Sequence, residues 1–177
     1  VAAFLGWLFP GLGHFYQRRY GKAVLFSVTI MTIFLWGLYL GGSRELGLGR
    51  VVYFSMRPGD LRYPFFCQMW VGLPVFPALV QAFRVSSGKE PLWHGLMAPP
   101  LLRPDRADPQ DLYPPFTVDT LHKRLHRYFD LGTVYTMIAG LLNILVIYDA
   151  WGGPVWTDEE EGAEDTAGES KADSPQG

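Results

Sequence analysis

Two histidines four residues apart, His122 and His126, fall on one side of any helix that contains them. Such a pair could share a metal ion, with Asp119 and Asp130 close in sequence. A metal centre needs three or four ligands and an outer shell to orient them. Lys123, Arg124 and Arg127 surround the pair instead, so a basic interfacial face is preferred and no metal or other cofactor is assigned. His14 ends an apolar run, where it could handle a proton, cap a helix or bind a phosphate. Asp149 is the one charge inside the last apolar run, and such charges are functional candidates by default. It lies close to Trp151, so it can reach water, which weakens that reading. Asn143, about two turns deeper, suits hydrogen bonding between helices, and Gln68 sits inside an earlier apolar run. No nucleophile elbow, zinc-protease pair, phosphate loop or dinucleotide fingerprint is present, so no catalytic residue is named. Cys67 is alone in an apolar run and reads as a small buried residue.

These residues are carried by four apolar runs: 1–16, 23–41, 63–83 and 131–151. The second and third hold no charge over nineteen and twenty-one residues. At 1.5 Å per residue, runs of that length reach about 30 Å, the thickness of a bilayer's hydrocarbon core. Helices apolar all round need cover on every side. A chain of 177 residues has too much surface to bury four of them, so a soluble helical core is excluded. The expected fold is therefore all-α and polytopic, with about four transmembrane helices. Trp36, Tyr39, Tyr63, Tyr148, Trp151 and Trp156 fall near run ends, where amphipathic rings favour headgroups; Trp70 lies inside a run.

The third run contains Gly72, Pro74 and Pro77. Each proline removes a helix hydrogen bond, so a kinked or broken helix is expected. Carbonyls freed in lipid need partners, which turns Gln68 and Gln81 towards protein. Gly132, Thr136 and Gly140 form a stripe of small residues on the fourth run, and Gly37 and Gly41 a shorter one on the second. Either stripe could pack helices within one chain or between chains. His14, Tyr16, Arg18, Arg19 and Lys22 suit a lipid interface, where each basic side chain contributes about 1 kcal/mol near an anionic surface.

The organisation follows: a helical hairpin (1–42), a polar loop (43–62), the proline-kinked helix (63–83) and a proline-rich loop (84–118). An amphipathic helix then leads into the last span (119–151), and an acidic disordered tail ends the chain (152–177). Leu121, Leu125, Tyr128 and Phe129 give residues 119–130 their helical pattern, with basic residues around them. From residue 157 the tail carries a net charge of −7, leaving +5 on the rest. The basic residues are scattered between apolar runs, so a nucleic-acid partner is not expected; membrane lipids, self-association or membrane-protein partners are. The chain starts at Val1 rather than methionine, which leads us to expect residues upstream. His14 through Arg19 follow Val1–Gly13 where a signal peptide would place small residues, so they read as the end of a membrane helix.

Lysines and arginines number three in the first loop, four in the second, seven in the long loop and one in the tail. With four spans the first and long loops share a face holding ten of the fifteen, which makes that face cytoplasmic and puts both termini outside.

The stretch from Ala3 to Tyr16, with Pro10-Gly11-Leu12-Gly13-His14, followed by Gly21-Lys22-Ala23 and an apolar helix, resembles the TM-two domain, a two-helix membrane hairpin. Pro10 and two added helices depart from that pattern. The longer pattern resembles an uncharacterised bacterial membrane family, through Leu40-Gly41-Gly42, Gly72-Leu73-Pro74 and Ile147 to Gly153. The resemblance implies a fold and a bacterial inner-membrane location, and no activity. The leading expectation is a non-enzymatic helix-packing or interaction protein. A small oligomeric transporter or channel, and an enzyme acting on lipid headgroups, are the alternatives.

Overall fold

Tyr20–Leu40 contains no proline and one charge, Lys22, so nothing interrupts its backbone ladder. It forms a single helix of 21 residues, α3. Arg127–Gly152 is equally free of proline and forms a helix of 26 residues, numbered α6 below. At 1.5 Å per residue they are about 32 and 39 Å long. The computed structural model describes residues 1–42, 48–57, 60–100, 125 and 127–153. Among these, two helices rather than four are long and apolar enough to cross a membrane. The fold is all-α, apart from a two-residue antiparallel pair, β1 (Met56–Arg57) with β2 (Asp60–Leu61).

Proline accounts for the difference. The first apolar run splits into α1 (Ala2–Leu8) and α2 (Leu12–Tyr16). Pro10 has no N–H to continue the ladder, and Gly11 takes φ 85°, a left-handed value that glycine adopts freely. Pro10 is also where the sequence departs from the TM-two pattern. The third run breaks further, into α4 (Pro64–Gln68), two 3₁₀ turns (Met69–Val71 and Leu73–Val75) and α5 (Phe76–Ser86). Gly72 joins the two turns at φ 86°, ψ −133°.

α3 and α6 run antiparallel. Lys22 reaches Asp149 at one end of the pair, and Gly37 and Gly41 meet Gly132 towards the other. Both broken segments turn back on themselves. α1 starts beside Ala150, passes Ile147 at Gly6, and α2 returns until Gly13 lies against Ala2 and Ala150. α4 starts from the opposite end, where Arg62 donates to Thr133 Oγ1 at 3.0 Å. It passes Thr136 at Gln68 and Gly140 at Cys67. α5 then leads back, and Gln81 bonds the carbonyls of Leu92 and Leu96. The Leu92–Ala98 stretch is anchored beside Leu48 and Arg50, the Met97 N–H donating to Leu48 O at 3.2 Å.

The fold is thus two long helices and two helical hairpins that enter from opposite ends and meet at their tips. At the meeting point Gly72 is pressed against the carbonyls of Trp7 and Leu8, and any Cβ there would collide with them. The buried apolar core is built from Ile30, Phe34, Val51, Val52, Phe65, Phe129 and Ala139, and extends to Val71 and Val75 beside Gly72.

This arrangement moves the first turn. Residues 17–19 and the end of α6 share one end of the bundle, opposite Gly41. The expected four-span path had put them on opposite faces. His122 and His126, most of the expected amphipathic helix, residues 101–118 of the proline-rich loop and the acidic tail from residue 154 lie outside the described residues. Leu125 is helical and buried, and Arg127–Asp130 form the first turn of α6.

Candidate functional site

The first site is built where the turn after α2 meets the end of α6. His14 is wholly buried, and its Nε2 lies 2.6 Å from Asp149 Oδ2. Phe26 meets the imidazole edge-on, with centroids 5.1 Å apart. The same carboxylate receives Lys22 Nζ at 3.3 Å, and Arg19 Nη1 stands 3.8 Å away. Asp149 is 38% exposed, so its charge stays in contact with solvent while it anchors a buried ring. Gln17 Nε2 donates to Ala150 O at 2.6 Å, and Arg19 reaches Gly153 O at 3.5 Å. His14 Nδ1 is buried and has no hydrogen-bond partner among the described residues. Tyr16 is exposed and makes none of these contacts.

Arg18 stands apart within this turn. The backbone N–H groups of Gln17, Arg18 and Arg19 bond the carbonyls of Gly13, Phe15 and His14, which closes α2 with the geometry that usually ends in glycine. Arg18 holds the left-handed position at φ 61°. For a residue with a Cβ that conformation costs about 1–2 kcal/mol. Its side chain is exposed and forms no hydrogen bond or ion pair with a described residue.

The second site is the hairpin junction. Asn143 is wholly buried on α6. Its Nδ2 donates to Gly6 O at 3.1 Å and to Trp70 O at 2.8 Å. In an unbroken helix those carbonyls would accept from the residues four positions on. Those residues are Pro10 and Pro74, neither of which has an N–H. One amide therefore satisfies the carbonyls that two separate prolines leave open. Both of its donors are engaged with acceptors, and Asn143 Oδ1 is left without a partner among the described residues. One and a half to two turns along α6, Gln68 Nε2 donates to Thr136 Oγ1 at 2.8 Å and to Val51 O at 3.3 Å, and Gln68 Oε1 is likewise unpartnered. Along α6, Asn143 is about 12 Å from Trp151 and about 16 Å from Gly132.

The sequence profile of a family of unknown function, DUF6677, matches residues 1–162. The chain belongs to DUF6677. Neither the comparison with curated proteins nor that with solved structures returns a match. The matched stretch of the DUF6677 chain takes in both hairpins, both long helices and both sites described above.

The small-residue stripes of this DUF6677 chain are occupied from within. A Cβ on Gly132 would stand 2.6 Å from Gly37 O and 2.9 Å from Gly41 N. A Cβ on Gly37 would stand 2.7 Å from Thr136 Cγ2, and one on Gly140 would strike Cys67 O. Glycine lets α3 and α4 approach α6 backbone to backbone. Among the described residues no group of three metal-ligating side chains gathers.

Two functional-looking residues escaped the sequence reading. Arg62 lies over the rings of Tyr53 and Phe129, at 4.6 and 4.9 Å, while donating to Val51 O and Thr133 Oγ1. Arg50 is buried against Gly95 and donates to Ala98 O at 2.9 Å. Burial pulls its guanidinium down to about 10, so it remains charged at neutral pH inside the fold. Both resembled ordinary loop cations in the sequence. The apolar run Val51-Val52-Tyr53-Phe54 beside them was the one available signal that the loop folds inward.

Proposed function

We propose that this DUF6677 chain is a multi-pass protein of the bacterial inner membrane that acts by binding lipids or protein partners rather than by catalysis. The outward faces of the two long helices carry this reading. Val24, Leu25, Val28 and Leu35 on α3, and Val134, Ile138, Leu141 and Leu145 on α6, are all exposed. Continuous apolar surface of that extent belongs against lipid. Exposed aromatics bracket it, Tyr148 and Trp151 at one end and Trp36 and Tyr39 towards the other. The two hairpins then enter the bilayer part-way, which lipid tolerates only where protein satisfies the broken backbone, as Asn143 does.

With two full spans, ten of the fifteen basic residues lie in the segments joining α3 to α6, Arg127 opens α6 on the same face, and four lie on the other. The joining segments are then cytoplasmic, and the turn at residues 17–19 lies outside with both ends. The test is resistance to carbonate extraction combined with cysteine labelling, using Cys67→Ser as background. Gly21→Cys, at an open position, should label in intact cells with an impermeant reagent, and Lys89→Cys only after lysis. Release by carbonate refutes membrane insertion, and the reverse labelling refutes the orientation.

A second reading, a small oligomeric transporter or channel, is favoured by one observation. Two broken segments meet inside the bundle beside buried oxygens of Asn143 and Gln68 that have no partner among the described residues. Transporters hold solutes at such discontinuities. Reconstituted protein that supports no flux across a panel of small ions and polar solutes would remove this reading.

A further inference from the structure

We propose that the turn carrying Arg18, Arg19 and Lys22 binds the phosphate of an anionic lipid headgroup. The inference rests on the membrane reading above and names the ligand for that end of the bundle. Three cations lie within five residues, and Asp149 is the one carboxylate among the described residues that meets them. Lys22 and Arg19 share it with His14, at 3.3 and 3.8 Å, leaving most of their donors unused. Arg18 brings five more N–H donors that no described residue accepts. It does so from a left-handed backbone position where glycine would be unstrained. A side chain held at a conformational cost, exposed and without a partner among the described residues, points to a ligand.

The surroundings say which ligand. Phe15, Tyr16 and Tyr20 are exposed on the same turn, and Tyr148 and Trp151 are exposed on the facing helix end. Such a collar marks headgroup depth, where the acceptor present in quantity is lipid phosphate. A guanidinium beside an ammonium grips a phosphate through a planar pair of donors and a point charge.

The test uses the full chain in zwitterionic detergent micelles, titrated separately with phosphatidylglycerol, phosphatidylcholine and inorganic phosphate. Bound lipid is counted by native mass spectrometry, and the unfolding temperature is read in parallel. Phosphatidylglycerol should bind in preference to phosphatidylcholine and raise the unfolding temperature. Arg18→Gly should unfold without lipid at or above the wild-type temperature, because it relieves the backbone. It should nevertheless bind phosphatidylglycerol about fivefold more weakly, equivalent to about 1 kcal/mol for one basic residue at an anionic surface. Arg18→Lys keeps the charge and loses the planar pair, so its affinity should fall between those of wild type and Arg18→Gly. Equal binding of the two lipids, unchanged affinity in Arg18→Gly, or loss of lipid-free stability in Arg18→Gly would each overturn the proposal. Displacement of phosphatidylglycerol by equimolar inorganic phosphate would assign the turn to free phosphate instead. Carbonate resistance is measured independently, so failure here leaves the membrane reading standing.

Discussion

Asn143→Leu should unfasten both hairpins at once. Leucine keeps the same branched skeleton with bulkier ends, so the change removes hydrogen bonds without opening a cavity. Two buried carbonyls, Gly6 O and Trp70 O, lose the donor now at 3.1 and 2.8 Å. In water-referenced proteins each unsatisfied buried group costs about 1–3 kcal/mol, a ceiling near 6 kcal/mol for the pair. Interhelical hydrogen bonds in membranes average about 0.6 kcal/mol, a floor near 1 kcal/mol for two. The floor is low because polar groups unfolded in the membrane find other partners. Proline has already removed the in-helix partner of each carbonyl, so that escape is poor here. Loss of Asn143 Oδ1, itself unpartnered among the described residues, returns part of the cost. We expect about 2 kcal/mol, or roughly 4–8 °C in unfolding temperature for a chain of this size. The assay is thermal unfolding of the purified protein in detergent, followed by tryptophan fluorescence. Trp7 and Trp70 sit at the two hairpin tips, so two of the six tryptophans report on the junction. An Asn143→Leu variant that unfolds within about 1 °C of wild type would refute the shared-capping argument.

Four further outcomes follow from the packing. Asp149→Leu leaves His14 Nε2 buried without its partner and should cost about 2–3 kcal/mol, whereas Lys22→Gln removes an exposed contact and should cost under about 1 kcal/mol; unfolding temperatures separate the two. Gly37→Leu forces α3 away from α6 and should cost about 1–3 kcal/mol or more, while Gly21→Ala, with open space around it, should be neutral or slightly stabilising. Arg62→Lys keeps the charge but loses the planar fork over Tyr53 and Phe129, and should destabilise by about 1–2 kcal/mol in the same assay. A disulfide between cysteines placed at Gly6 and Ile147 should form under oxidation and slow the gel mobility change on heating in SDS, because those positions face each other; no cross-link would contradict the path of α1.

Local rules carried the sequence reading as far as local rules reach. Proline spacing announced the break in the third run, and the structure places it at Gly72. The same reasoning turned Gln68 and Gln81 inward, and both are fully buried. The first run contained an equally clear signal in Pro10-Gly11, but its short length and aromatic end read as one helix stopping at an interface. Whether a break kinks a span or folds it back depends on what covers the freed backbone. That cover came from Asn143, 137 residues away from Gly6. The pairing of His14 with Asp149 spans 135 residues and was equally invisible, though each residue was singled out alone. Composition gave no hint that Arg62 and Arg50 would be drawn inward, because a loop cation and a buried staple look the same until the aromatic partners are placed.

The junction also changes how a broken helix should be weighed. A lone kinked span is most simply a packing feature, since one defect can be absorbed by its neighbours. Two hairpins entering from opposite ends cannot be absorbed separately, because each tip removes backbone partners at the same depth. Gly72 on Trp7 O and Leu8 O shows how closely the tips must approach for a single side chain to serve both. Asparagine suits the position because its amide offers two donors from one nitrogen, where serine or threonine offers one and lysine would bring a charge into the bundle. The two proline breaks and Asn143 therefore form one structural unit, and no part of it is explained by the other parts' removal. A span that merely crossed the membrane would need none of them. Within this DUF6677 fold the junction is where the sequence gives up regular backbone, at Pro10-Gly11 and Gly72-Leu73-Pro74, and one buried amide covers both breaks.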